Sequence, residues 1–336
     1  MGVIKASTER VSLSMKKFAL PPRSKIAKLP RKAMADETRL ISEGAALDEF
    51  LDDLQREHQV KEIAGWDTAF ANLNRALDGI RPGLYLLVGP PACGKTSFAK
   101  QLLDQVAMRN DAVGIFFSFA ESKNELRIKT LARLSGIENR EIRRGSAYLL
   151  HWYGVPRLRG NETEQLSPSW ERVRRAAEDA RSWLDSIFLL ECGAGTTAAA
   201  LEAHVRETRA TMNKQKIIAV IDDCQRLGAS DQPLQERLPL LVEQLQSLAE
   251  NMNAALLAVW PDLRDNGDIA PQTWAERALG TDVIMVMEAD PERTKKLTEP
   301  NQALTLNIVK NRGGERGKLA FDFLPAFSRF VEAAAR

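Results

Sequence analysis

The sequence predicts an α/β protein with a mostly parallel central sheet flanked by helices, and three observations carry that prediction. From about residue 84, short apolar runs alternate with stretches of helical periodicity, the pattern of consecutive βα units. Between the first run and the first helix lies GPPACGKT, residues 89–96, a glycine-rich loop of the G-x-x-x-x-G-K-[ST] type. A later all-apolar run, KIIAVIDD at 216–223, ends in paired aspartates.

Composition narrows the class. The 336 residues are 44% hydrophobic and 27% charged, with 47 Lys+Arg against 45 Asp+Glu, so the chain has apolar material for a core and is not a disordered polyelectrolyte. Cys93, Cys192 and Cys224 are odd in number and widely spaced, and His58, His151 and His204 do not cluster. That pattern predicts neither a disulfide framework nor a structural zinc, and it suits a reducing, cytoplasmic setting. No apolar run reaches the ~18 residues of a bilayer span, and the amino terminus lacks a secretory signal, so a membrane partner is not expected.

Taken in order, residues 1–35 read as a basic, flexible arm. Up to Lys32 it carries nine basic residues against the single acid Glu9, and Pro21, Pro22 and Pro30 break any helix. A solvated tail, a phosphate-backbone contact and an organelle transit peptide all remain open for it. Residues 36–63 hold an acidic amphipathic helix. In it Leu47, Phe50, Leu51 and Leu54 share one face while Asp48, Glu49, Asp52 and Asp53 take the other. The main domain spans 64–336. Its strands are expected at 84–88, 113–117, 187–190, 217–221, 255–259, 283–287 and 304–309, and 146–168, rich in Gly, Pro and polar residues, reads as an inserted loop. Apolar stripes at 173–187 and 234–252 have helical spacing and belong to the core.

The loop is the most specific chemical signal. Its Gly89, Pro90, Pro91, Ala92, Cys93 and Gly94, with Lys95, Thr96 and Ser97, form a phosphate cradle at a helix amino terminus. Lys95 would reach the β- and γ-phosphates of ATP, and the Thr96 hydroxyl would ligate Mg²⁺. Cys93 reads as a small filler, with alkylation sensitivity at a helix amino terminus as the alternative. Asp222, ending its apolar run, is expected as the other Mg²⁺ ligand, with Asp223 facing away across the pleat. FFSFAES at 116–122 offers Glu121 at the tip of a strand expected beside that of the loop. It is either the carboxylate that orients the attacking water or an acid serving the following helix dipole. In KNRGGERGK at 310–318, Lys310 and Arg312 project to one side. They are either a phosphoryl-neutralising pair for a neighbouring subunit or part of a solvated hairpin turn.

With these elements in order, residues 64–330 resemble the RecA-like ATPase domain of DnaB-type replicative helicases. The lead into the loop, GWDTAFANLNRALDGIRPGLYLLVGPPACGKTSFA, is similar to the family's; IDDCQRL resembles its IDYLQL, and KNRGGERG its KxRxGxxG. The resemblance implies a Mg-ATP-dependent motor on single-stranded DNA, a homo-oligomeric, hexameric ring, and contacts with other replication or recombination proteins. It makes Gln225 the sensor of the γ-phosphate, Lys310 and Arg312 a pair acting in trans, and Arg226, Arg237 and Arg264 DNA-backbone contacts. It also implies that the acidic helix docks on the adjacent protomer of a ring.

Two positions depart from the family. Where it has Ser-Leu-Glu-Met, this chain has Phe119-Ala120-Glu121-Ser122, leaving the glutamate displaced by one residue or replaced by Ala120, and closer to the Phe-Glu-Glu-Ser of KaiC- and RadA-like relatives. Trp260-Pro261 stands where the family has Ser-Gln. Those departures keep open an ATPase that switches a partner assembly without unwinding, and a nucleotide-gated DNA-binding or loading protein with little turnover.

Overall fold

A computed structural model describes residues 42–44, 47, 51–52, 63–144, 168–228, 234–261 and 280–333. The chain divides into two compact units, 1–59 and 60–336. In the first, Glu43, Gly44, Leu47, Leu51 and Asp52 are helical, and Leu47 and Leu51 are about half exposed. The basic arm, most of 36–63 and residues 146–167 of the expected insertion lie outside the described residues.

In the second unit the elements run α1 (Ala71–Leu77), β1 (Gly83–Gly89), α2 (Lys95–Asn110), β2 (Val113–Ser118), α3 (Lys123–Ser135) and α4 (Asn139–Arg144). They continue with α5 (Pro168–Asp179), α6 (Arg181–Leu184), β3 (Ile187–Glu191), α7 (Ala198–Met212), β4 (Ile217–Asp222) and a 3-10 turn at Cys224–Arg226. The rest is α8 (Leu234–Met252), β5 (Ala255–Pro261), β6 (Val283–Ala289), α9 (Pro291–Thr294), β7 (Gln302–Asn311), β8 (Gly317–Leu324) and β9 (Arg329–Glu332).

The nine strands form one sheet in the order β3-β2-β4-β5-β1-β6-β7-β8-β9. The six from β3 to β6 are parallel, and β7, β8 and β9 continue antiparallel. All seven expected strands are present, and β8 and β9 are additions. The parallel strands are apolar throughout because both faces are covered. Leu84, Leu86 and Val88 face a core shared with α7 and α8, while Tyr85 and Leu87 face one shared with α1 and α2.

The strand order corrects one expectation. The strand leading to Glu121 does not lie beside β1; β4 and β5 intervene. The crossovers from β1 to β2, β2 to β3, β3 to β4 and β4 to β5 carry helices, and α2 packs across β2 and β4 as well as β1 and β5. The amino end of α2 therefore faces the tips of β4 and β2 although neither strand pairs with β1.

The antiparallel extension supports the loop from behind. Phe98 of α2 meets Phe321 and Phe330 edge-on at centroid distances of 5.6 and 5.2 Å, and Phe323 stacks on Phe330 at 4.4 Å. As the sheet's last strand, β9 would expose unpaired backbone. Gln101 of α2 meets that need at Phe330, whose N–H donates to Gln101 Oε1 (2.7 Å) and whose carbonyl accepts from Nε2 (3.0 Å).

Candidate active site

The glycine-rich loop begins where Gly89 ends β1. A Cβ there would lie 3.0 Å from both Cys93 Sγ and the Met287 carbonyl oxygen, a contact tight enough to favour glycine. Ala92 and Gly94 have φ of +62° and +88°, which curls the backbone into the first turn of α2. A Cβ on Gly94 would lie 2.9–3.0 Å from the rings of Phe323 and Phe330. Cys93 is buried in the same apolar cluster, which makes it a packing residue. Pro90 and Pro91 form the outer lip of the loop and Ser97 is buried behind it. Lys95 Nζ lies across the loop, donating to the carbonyls of Gly89 and Pro90 at 2.7 Å each.

At the tip of β4 the Asp222 side chain is almost wholly buried and accepts from the Thr96 hydroxyl. Burial pushes its carboxyl up to about 6, reinforced by Asp223 and Glu121 and opposed by the Thr96 hydrogen bond and Lys95. Asp222 Oδ2 has no hydrogen-bond partner among the described residues. A hydroxyl beside a buried carboxylate with an unused oxygen is the oxygen-rich donor set that suits Mg²⁺, so the residues present fit that ion. Asp223 departs from its expected position. The strand ends at Asp222, the alternation ends with it, and the Asp223 carboxylate lies in the field of Lys95 and Arg226 while accepting from Gln225 Nε2.

Glu121 lies just beyond the tip of β2. Ser118 Oγ accepts from its N–H at 3.0 Å and donates to its carbonyl at 2.6 Å, which fixes the backbone. Its Oε1 is 3.3 Å from Lys129 Nζ, its Oε2 is buried without a hydrogen-bond partner among the described residues, and its charge is felt at Asp222. The helix-dipole alternative has other occupants. Ser122 is the amino-terminal cap of α3, accepting from Glu125 N–H, and Glu125 is the acid of the first turn. Ala120 is exposed.

The loop after Asp222 holds Gln225 and Arg226. Arg226 Nη1 donates to the Phe119 carbonyl at 2.7 Å. Arg237, on α8, donates to the carbonyls of Leu227 and Gly228 at 3.2 and 3.0 Å. Arg264 lies outside the described residues. Trp260 is fully buried in the core on the α8 side, opposite Val88, so an apolar packing residue stands where the family places a polar one.

Lys310 lies at the carboxyl end of β7 and Arg312 just beyond it. β7 runs antiparallel to β6, pairing Lys310 with Ile284, and Arg312 N–H donates to the Asp282 carbonyl at 3.0 Å. Asp282 also accepts from Leu84 N–H near the start of β1. Lys310 therefore lies level with Leu86, halfway along β1, and Arg312 near the level of Leu84, about five residues or roughly 16 Å of strand from Gly89. Arg312 Nη1 is 3.1 Å from Asp282 Oδ1 while its side chain stays 61% exposed. Partial burial, and then Arg312, lower the Lys310 ammonium from its usual range. A bulge near Val309 sets the angle at which β7 ends. The turn is also pinned, because Asn311 Nδ2 donates to Ala76 O of α1 at 2.9 Å and Glu315 O at 3.0 Å.

Sequence reasoning missed Asp282, Asn311 and Lys129. Asp282 precedes an apolar strand and Asn311 sits inside a basic stretch, and nothing local marks them as partners of Arg312 or α1. Lys129 sits at an ordinary surface-helix spacing.

A model of the DnaB-like helicase C terminal domain matches residues 65–332. The chain belongs to that family. Among proteins similar to this DnaB-like domain is the replicative DNA helicase DnaB of Leifsonia xyli subsp. xyli (strain CTCB07), 21% identical over 295 residues, which cover 83% of this chain and 58% of that protein. The chain spans 56–60% of the length of the first curated relatives it matches. Its fold is similar to that of a solved ATPase domain, with a TM-score of 0.71 and 18% identity over 88% of this chain and all of the other. It is also similar to a DnaB-like replicative helicase solved for its interactions with primase (TM-score 0.66, 18% identity, 87% and 67% coverage). Among the described residues, no helix is long and apolar enough to cross a membrane.

Proposed function

We propose that this DnaB-like domain is a Mg-ATP-driven motor that moves along single-stranded DNA as a homo-oligomeric ring, hexameric by family resemblance, with each ATP hydrolysed between two copies. The observation that carries the reading is the division of the site. The loop, Asp222 and Glu121 converge at one end of β1, while the turn that carries Arg312 lies toward the other, with Lys310 level with the middle of the strand. In this reading the Lys310–Arg312 turn serves the site of a second copy in head-to-tail arrangement rather than the loop of its own.

The roles follow from the chemistry. The backbone amides at the start of α2 and the Lys95 ammonium hold the β- and γ-phosphates. Thr96 and Asp222 would hold Mg²⁺, which neutralises charge on the phosphate oxygens. Glu121 Oε2 takes the proton of the attacking water, because Oε1 is already engaged by Lys129. Gln225, beside Asp223, responds to whether the γ-phosphate is present. Arg312, oriented by Asp282, and Lys310 neutralise the transferred phosphoryl of the neighbouring copy. Arg226 and Arg264, in the loops after Asp222 and Trp260, and Arg237, at the start of α8, are assigned to the DNA backbone, and the helicase–primase neighbour suggests replication proteins as further partners.

ATP turnover with and without single-stranded DNA tests the motor, and subunit mixing tests the shared site. Lys95→Ala and Arg312→Ala are each expected to be inactive. Mixed, they form some interfaces with an intact loop on one side and an intact Arg312 on the other, so partial activity returns. Mixtures as dead as their components rule out action in trans. Turnover indifferent to DNA favours the partner-switching ATPase, and background turnover with retained ATP binding favours the nucleotide-gated binder.

A further inference from the structure

Lys129 is tied to both halves of the chemistry. Its Nζ lies 3.3 Å from Glu121 Oε1 and donates to Ser97 Oγ at 3.4 Å, one residue beyond Thr96. The ammonium is largely shielded, with the Lys129 side chain 19% and the Glu121 side chain 28% exposed. Shielding of this kind strengthens the attraction relative to a surface pair. Lys129 is two turns into α3, so its chain reaches back over the helix's amino end to the residue just before the cap.

The rest of Glu121 is constrained differently. Ser118 fixes its backbone from both sides, which leaves the side-chain torsions as its remaining freedom. Within this structure Lys129 is the cation holding Oε1, and Oε2 is left buried without a partner among the described residues. An ammonium has donors and no acceptor, so it can anchor one carboxylate oxygen without competing for a proton bound for the other. The simultaneous contact with Ser97 ties that anchor to the first turn of the phosphate-binding helix.

We propose that Lys129 is the positioning residue for Glu121, anchoring Oε1 to the loop helix through Ser97 so that Oε2 alone faces the attacking water. The inference rests on the reading of Glu121 as the proton acceptor. Lys129 supplies that anchor from the next helix.

The test is steady-state ATP turnover of the full chain with single-stranded DNA, for Lys129→Met, Lys129→Arg, Glu121→Gln and the Glu121→Gln/Lys129→Met double variant. Mispositioning a catalytic group by about an ångström costs on the order of 100-fold. Lys129→Met is therefore expected to lower kcat by roughly 10- to 100-fold, with KM for ATP and binding of a fluorescent ATP analogue within about two-fold of wild type. Lys129→Arg should recover most of the loss, and the double variant should be no slower than Glu121→Gln alone, because a positioning residue acts on the reaction through Glu121. Glu121→Gln inactive with Lys129→Met at wild-type kcat overturns the positioning role and leaves the base intact. A double variant slower in proportion to both single losses, or a Lys129→Met effect confined to KM, overturns it too. Full turnover in Glu121→Gln overturns the base reading and the inference together.

Discussion

The Arg226 guanidinium donates to the Phe119 carbonyl across 2.7 Å, latching the loop after β4 to the segment that carries Glu121. The same segment is held a second time, since Phe119 N–H donates to the Asp222 carbonyl at 2.5 Å. A force on the Arg226 loop is therefore delivered two residues from Glu121. In the DnaB-like reading that loop faces DNA, so the latch is a route by which the strand reaches the chemistry.

Arg226→Ala cuts that route and leaves the loop, Lys95 and Asp222 in place. Stimulation of ATP turnover by single-stranded DNA is expected to fall about ten-fold, the equivalent of ~1.4 kcal/mol of coupling, with unstimulated turnover and ATP binding near wild type. DNA affinity measured at two salt concentrations separates the roles. If affinity and its salt slope fall with the stimulation, Arg226 is a phosphate contact and the latch carries no signal.

Asp222 makes a prediction about pH. Its carboxyl titrates near 6 in the folded protein against 3.8 as the reference, so between those values the native state holds a proton that the unfolded chain has lost. Stability then falls as pH rises from about 4 to about 6 and is flat above, a loss of up to about 3 kcal/mol from this group. Asp222→Asn removes the dependence. In metal-free protein it is expected to be the more stable form at pH 7 and indistinguishable from wild type near pH 4, while Mg-ATP hydrolysis is abolished. Urea unfolding at the two pH values, with parallel curves for both proteins, would show the carboxylate carries no such penalty.

Much of this arrangement was legible in the sequence for a physical reason. A parallel strand buried on both faces must be apolar throughout, so β1 to β6 announced themselves, as did the Gly94-Lys95-Thr96 run that no other context explains as well. β8 and β9 did not. β9 has four residues, and its anchor Phe330 gains meaning only from Gln101, 229 positions away. Strand order was equally hidden, because crossovers fix handedness and leave open which neighbour a strand joins. Asp223 escaped because alternation holds only within a strand, and it lies one residue past the end. The pairing of Arg312 with Asp282 joins an exposed turn to the start of a different strand, a contact that no local pattern encodes.

Phe330 should be the most costly of the aromatic wall to remove. It is 2% exposed and packs on Phe98 and Phe323, and its ring is one of the two that Gly94 rests against. Phe330→Ala is expected to cost about 3–5 kcal/mol in urea unfolding, the range for a buried aromatic. ATP affinity should weaken with it, because the loop loses its floor. Stability lost with ATP affinity unchanged at a temperature where the variant is folded would mean the wall holds the core and not the loop.

Asp282 is placed to act through Arg312. Asp282→Asn keeps the hydrogen bond that Leu84 N–H donates and removes the charge that holds the guanidinium 3.1 Å away. Loss of a trans-acting arginine costs about 10³- to 10⁵-fold in kcat, and loss of its orienting partner should cost a smaller part, about ten-fold. Arg312→Ala made in the Asp282→Asn background should be no slower than Arg312→Ala alone. Multiplying losses would mean that Asp282 supports β1 and β6 independently of the arginine.

Helices α2 and α3 share a buried charge cluster whose two halves should respond with opposite sign. Lys100 and Arg133 both pair with Asp104, with side-chain exposures of 1%, 8% and 6%, and Thr130 Oγ1 accepts from Lys100 at 2.8 Å while donating to Asp104 at 2.7 Å. Two cations share one anion, so the cluster has an excess positive charge, and burial lowers both the Lys100 ammonium and the Arg133 guanidinium from their usual ranges. Asp104→Ala strands two like charges without a counterion and is expected to cost at least the ~3–5 kcal/mol of a broken buried pair. Lys100→Met removes the surplus charge, keeps the volume and leaves Arg133 with Asp104. It should be neutral or stabilising, as replacements of buried ions by apolar residues often are. Urea unfolding of the two variants beside wild type decides it. A Lys100→Met loss as large as that of Asp104→Ala would mean the Lys100–Thr130 hydrogen bond, and not charge balance, holds α2 against α3.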